Sequence, residues 1–391
     1  MLGSLIVSVM PGAYRIYLLW MVSFFLGNSE ATGLSVYYTL TTSLLMVTSL
    51  GYCLITLKDL SGVSFQDGFK YYYKSITGIL VLSFSIWGGY SLYNDVFNLE
   101  KLYLIVFLGI YQLERHYWLK DKRFFNLALI DLLLVLLTTL LFGFSNNLNP
   151  YIIISLSHIA SIFVSFICRK LNDNNTDNLS GVSANESPNH FESIRVGCSN
   201  MISSGVFYFI PSAVLLFDAE SFVQLIALTV TLSGVAIVFP RAVLNSYIPK
   251  VSKEVKLGKF DNCLREEINK KIRVLCVLLY VPVIIACIIY LYVSGVALNS
   301  QSIILVGLIC ATVTIGQLYL LDSYILLFMD MDKKVLLANI MVLAAISLMS
   351  YIIYLMDIMI FNKVLLLWCG IIVLYLARWF YYSYIIRDKL V

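Results

Sequence analysis

Five ionisable residues stand inside long apolar runs: Arg15 in PGAYR, Asp131 in ALIDLLLV, Arg241 in FPRAVLN, Asp322 in YLLDSYIL, and Arg378 near the end of the last run. An ionised side chain is costly in hydrocarbon, so it is normally paired, snorkelled to a surface or turned toward water. Arg15 lies about half-way along its run, too deep for easy snorkelling. It follows Pro11-Gly12, where a kink or a locally opened turn is expected whose carbonyls could line a cavity. Arg241 comes directly after Pro240, near the end of its run. If both arginines faced one central vestibule, two guanidiniums would make a site for a phosphate or pyrophosphate head group. The alternatives are an ion pair of Arg15 with Asp131 or Asp322, and snorkelling of Arg241 to lipid phosphates. Asp131 and Asp322 are each flanked by apolar residues on both sides. Either could be a carboxylate that couples transport to a proton or cation, or the counter-charge of an arginine. His158 in SLSHIAS could join such a network or be a hydrogen-bonded interior histidine.

The elements that must position these residues are membrane helices. The chain has 391 residues, 60% of them hydrophobic and only 13% charged, with a mean hydropathy of +0.86, which excludes an ordinary soluble domain. Spans are expected at 3–26, 34–57, 76–97, 102–119, 124–144, 148–168, 194–216, 222–245, 272–293, 301–328, 335–356 and 361–382. Most are about 20 residues, enough at ~1.5 Å per residue to cross the hydrocarbon core. The span at 102–119 has the weakest apolar signal, because Gln112, Glu114, Arg115 and His116 interrupt it.

Charge supports the count independently. Of the 27 basic residues, Arg15, Arg241 and Arg378 fall within spans, Lys101 and Lys363 fall in loops on one side, and all the others fall on the opposite side. By the positive-inside rule that side is cytoplasmic, and both termini with it. The densest stretch runs from Val238 to Arg273, where Lys250, Lys253, Lys256, Lys259, Arg265, Lys270, Lys271 and Arg273 read as a connector held at the anionic inner surface.

The expected fold is an all-α polytopic membrane protein, twelve transmembrane helices in two six-helix halves around a central cavity. Residues 1–171 form the first half and 194–391 the second, joined by a polar cytoplasmic linker at 172–193. Glu30 and Glu220 sit in equivalent turns, followed at similar distances by Lys58 and Lys250, so the halves repeat in one orientation. The eight cysteines are scattered without a CxxC, and neither a metal nor a cofactor is expected. Phosphate-loop, zinc-protease and nucleophile-elbow motifs are absent, and the outer loops are too short for a catalytic domain. The residues therefore point to a transporter, with no enzyme signature.

Two stretches carry a family resemblance. FLGNSEATGLSVYYTLTTSLLMVTSLGYCLITLKDL places a Gly33 turn before a polar-studded second span ending at Leu50-Gly51. Its counterpart, FDAESFVQLIALTVTLSGVAIVFPRAVLNSYIPKVSKEVKLGKFD, leaves through Pro249 into a basic amphipathic connector. The chain resembles the bacterial polysaccharide flippases of the multidrug/oligosaccharidyl-lipid/polysaccharide exporter superfamily, particularly those of O-antigen and capsule repeat units. The resemblance implies an undecaprenyl-pyrophosphate-linked oligosaccharide as substrate, moved from the inner to the outer leaflet of the bacterial cytoplasmic membrane by alternating access. It implies Arg15 and Arg241 as head-group residues in a cationic cavity. Association with polysaccharide polymerase machinery is a further partner expectation. The residues alone also allow an ion-coupled exporter of a small solute or drug.

Overall fold

The computed structural model describes residues 2–27, 30, 34, 37–38, 41–42, 44–60, 63, 67–93, 98–144, 149–172, 187–215, 217, 219–293, 296 and 298–390. Within them the chain is helical. The first helices are α1 (Leu2–Leu26), a π-helical turn at Met46–Leu50 that runs into α2 (Gly51–Asp59), α3 (Phe69–Tyr93), α4 (Leu99–Lys120), α5 (Phe124–Phe144) and α6 (Pro150–Asn172). They are followed by α7 (His190–Leu215), α8 (Glu220–Lys256), α9 (Asn262–Val293), α10 (Ser300–Leu318), α11 (Leu320–Phe328), α12 (Asp332–Leu355) and α13 (Ile360–Leu390). Among the described residues, 8 helical segments are long and apolar enough to cross a membrane. The protein is a multi-pass membrane protein.

Short polar side chains set the helix starts. Asn98 accepts from the Lys101 amide at 3.1 Å, Asn189 from Glu192 at 3.2 Å, Asp261 from Leu264 at 2.8 Å and Asn299 from Ser302 at 2.8 Å. Each satisfies a backbone donor that the first turn leaves open. Asn149 does the same for Tyr151 at 3.0 Å, directly before Pro150, whose missing N–H costs nothing at that position. Gly27, with φ 96°, stands directly after α1, and Gly258, with φ 63°, ends the turn after α8.

The chain divides into two compact units: Met1–Met201 with Ile248–Lys253, and Ile202–Tyr247 with Glu254–Val391. In the first, α4 is the hub, packed against α2, α3, α5, α6 and the π-helical turn. This explains its mixed composition. A helix covered by protein can carry Glu114 and Arg115 in its middle, because their partners come from neighbouring helices rather than from water. The π-helical turn lies where glycines bring two helices together. A Cβ on Gly51 would strike the Ser193 carbonyl, and one on Gly197 would stand 2.7 Å from the Val47 carbonyl oxygen. In the second unit α13 packs on α10, α11 and α12, and α9 packs on α10 and α11.

Three expectations change. The stretch from Val238 to Arg273 is mostly not a loop, since α8 runs to Lys256 and α9 starts at Asn262. Its amphipathic residues continue the helices instead of leaving them. The span at 301–328 is interrupted at Tyr319. The Pro11-Gly12 turn does not open, because α1 is continuous through Pro11. The linker at 172–193 lies largely outside the described residues.

Candidate functional site

The buried charges organise the site, and most of them are not those singled out by hydropathy. In the first unit Asp131 of α5 accepts from Arg115 of α4 through both oxygens, Nε to Oδ1 and Nη2 to Oδ2, each at 3.1 Å. Tyr111, one turn before Arg115, adds a hydrogen bond to Oδ1 at 2.6 Å. Arg115 Nη2 also donates to the Val7 carbonyl oxygen of α1 at 2.7 Å. That oxygen is the one whose helical donor Pro11 removes, being four residues upstream of it. The proline is accommodated because a side chain from another helix supplies the missing hydrogen.

His158 of α6 stands beside this pair. Its ring meets Tyr111 edge-on, with centroids 5.2 Å apart, and Tyr14 at 5.8 Å. Nδ1 donates to the Ile154 carbonyl oxygen at 2.7 Å, which leaves Nε2 as the acceptor of the neutral ring. Nε2 has no hydrogen-bond partner among the described residues.

A second buried pair joins α4 to α6. Arg169 Nη2 donates to Glu114 Oε1 at 2.7 Å, and Ser165 donates to Oε2 at 2.9 Å. Tyr72 also donates to Glu114, and Trp118 donates to Ser165 at 2.7 Å. The Arg169 guanidinium lies 4.8 Å from the Tyr72 ring centroid and 4.5 Å from that of Tyr117. Glu114, 1% exposed, thus accepts from one cation, Arg169, and two hydroxyls, Ser165 and Tyr72.

In the second unit Asp322 of α11, fully buried, takes both oxygens to Arg265 of α9, with Nε and Nη2 each at 2.8 Å. Ser383 of α13 donates to the same carboxylate at 2.9 Å and accepts from Arg265 at 3.0 Å. Arg265 reads in the sequence as one of eight solvated connector charges. It is instead buried at the start of α9, and Arg115 likewise is buried inside α4.

The five residues expected to do chemistry are therefore placed as follows. Asp131 and Asp322 are both counter-charges, of Arg115 and Arg265 respectively. Arg15 is half-buried on α1, 5.7 Å from the Tyr38 ring centroid. Arg241 is exposed on α8. His158 is buried against the Asp131 cluster and lies in hydrogen-bond contact with its own helix. Arg115, Glu114, Arg169 and Arg265 went unrecognised because each precedes or follows a basic stretch and reads as an end-of-span charge. The available signal was local: Glu114 and Arg115 lie within a helix whose cap, Asn98, and turn, Asp121–Arg123, are both legible.

Chemically, a two-point arginine fork orients each aspartate. Through Arg115, α4 is joined to Asp131 of α5 and to the Val7 carbonyl oxygen of α1. No protein-family model and no curated protein matches the sequence. Solved structures match throughout. The chain is similar to a multidrug resistance MATE family transporter of the MOP superfamily in an outward-facing conformation, at 12% identity over 99% of this chain and 93% of that one, TM-score 0.65. It is similar to a MOP superfamily transporter from Pyrococcus furiosus, at 12% identity over 100% and 94%, TM-score 0.68. A eukaryotic MATE transporter matches at 14% identity over 100% and 97%, TM-score 0.60. The chain has the fold of the MATE and MOP superfamily transporters.

Proposed function

We propose that this protein exports a small solute or drug across the membrane by alternating access, with export coupled to a proton or cation. The observation that supports it is the fold, shared along nearly the whole length with solved transporters, one of them described as a multidrug resistance transporter. In this reading the Asp131 cluster is the coupling site of the first unit, with His158 as its neighbour, and the Asp322–Arg265 pair is a second candidate. The twelve-span topology, the two halves around a central cavity and the cytoplasmic placement of both termini belong to the same reading, supported by the one-sided basic residues. Cells producing the protein should retain less ethidium than cells producing Asp131→Asn at the same level. Equal retention by both would sink the reading.

One observation favours a second reading, movement of an undecaprenyl-pyrophosphate-linked oligosaccharide to the outer leaflet of the cytoplasmic membrane. Asp131 and Asp322 are engaged by Arg115 and Arg265, and this reading assigns Arg15 and Arg241 to the anionic head group. Removal of the gene would then leave lipid-linked repeat units on the inner leaflet. Unchanged lipid distribution, with altered dye retention, selects the exporter.

A further inference from the structure

Arg378 of α13 differs from every other buried arginine described above. It lies one turn after Tyr375 and one turn before Tyr382, on the same helix face. Its guanidinium carbon sits 3.8 Å from the Tyr319 ring centroid and 4.5 Å from that of Tyr375. Tyr319 is the single residue between α10 and α11. Nη1 donates to Asn339 Oδ1 of α12 at 2.7 Å and to Ser203 Oγ of α7 at 3.1 Å. Tyr382 donates to the same Asn339 oxygen at 3.2 Å, fixing the amide with its oxygen toward the arginine. The residue is 3% exposed.

The other edge is different. Nε and Nη2 of Arg378 have no hydrogen-bond acceptor among the described residues. This is the same edge that in Arg115 and in Arg265 holds both oxygens of an aspartate. Among the described residues four arginines are buried: Arg115 and Arg265 fill this fork with an aspartate, Arg169 meets Glu114 through Nη2, and Arg378 is bonded instead to an amide and a hydroxyl. At Arg378 the neutral end is anchored by Asn339 and Ser203, and two tyrosine rings flank the cation. A buried cation with two unmet donors and no carboxylate bonded to it is an unfavourable arrangement, and cation–π contact answers only part of its charge. An oxyanion answers both deficits at once, because two of its oxygens match the spacing of the fork.

We propose that the Nε–Nη2 edge of Arg378 binds an oxyanion, a carboxylate or phosphate group presented through two oxygens, with Tyr319 and Tyr375 as the flanking rings. The site is complete within the second unit and does not rest on which solute the protein exports. Chloride, a single-centre anion, offers the fork one acceptor atom in place of two and serves as the comparison.

The test is thermal unfolding of the whole protein, purified in detergent and stripped of lipid, in phosphate, acetate or chloride at equal ionic strength. Phosphate or acetate should raise the melting temperature by several degrees over chloride. Arg378→Lys, which keeps the charge and loses the fork, should abolish that rise, while Arg387→Gln, an exposed arginine on the same helix, should retain it. If no free anion acts but phosphatidylglycerol produces a rise that Arg378→Lys abolishes, the oxyanion is a lipid head group and the site stands. No rise from any of the three, or an equal rise in Arg378→Lys, overturns the proposal. Should Arg378→Lys not fold, a wild-type map at side-chain resolution in phosphate decides. Density bridging Nε and Nη2 supports the site, and an edge taken by a protein group or left without density overturns it.

Discussion

Arg115 Nη2 lies 2.7 Å from the carbonyl oxygen of Val7, and that oxygen has no backbone donor because the residue four places on is Pro11. One guanidinium therefore serves two helices: it repairs α1 and neutralises Asp131 of α5. The two roles can be separated in a double-mutant cycle. Pro11→Ala restores a backbone N–H opposite Val7, so the loss on Arg115→Lys should be smaller in the Pro11→Ala background. The expected coupling is about 1 kcal/mol, the worth of one hydrogen bond. Thermal unfolding of the four forms in one detergent measures it, and strict additivity would remove the link between the proline and the arginine.

The Arg265–Asp322 pair predicts an asymmetry. Among the described residues, Arg265→Met leaves the buried Asp322 carboxylate with the Ser383 hydroxyl as its hydrogen-bond donor, and removal of one partner of a buried pair typically costs about 3–5 kcal/mol. The double variant Arg265→Met/Asp322→Leu removes both charges and should recover most of that loss. The measurement is the unfolding temperature of the single and double variants. A double variant no more stable than Arg265→Met would mean that the pair does not act as a unit.

The glycine crossing beside the π-helical turn gives a steric prediction. Gly51→Ala forces the new methyl into the Ser193 carbonyl, where backbone must shift, and a forced methyl in a packed interior costs about 1–3 kcal/mol. Gly12→Ala, where a Cβ would meet nothing within 4 Å, is the matched control and should be close to neutral or slightly stabilising, since alanine favours the helix. Equal effects of the two would contradict the close approach.

Much of the architecture is legible from residues alone. The apolar runs mark the helices, and Asn98, Asn149, Asn189, Asp261 and Asn299 mark where they begin, because capping is a local interaction. The buried charges are another matter. Hydropathy scores Arg115 as the approach to a loop, yet its burial follows from Asp131 and Val7, which lie on two other helices. Arg265 looks like a member of a basic run, and only Asp322, 57 positions away, removes it from that class. The apolar flanks of Asp131 and Asp322 mark each as a coupling carboxylate or a counter-charge, but they do not reveal the partners, since pairing is set by tertiary packing. Tyr319 could not be distinguished from its neighbours, because an interruption of one residue leaves the apolar pattern of 301–328 intact.

The central claim is that the Asp131 cluster couples an ion to export, and flux through the purified protein tests it most directly. The protein is reconstituted into liposomes, an inward-directed proton or sodium gradient is imposed, and movement of ethidium is followed by fluorescence. The account predicts gradient-driven movement by the wild type and a loss of at least about tenfold in Asp131→Asn, equivalent to ~1.4 kcal/mol, with the folded fraction of both forms verified by unfolding. Movement at the wild-type rate by folded Asp131→Asn, or no gradient-driven movement by the wild type, would contradict it.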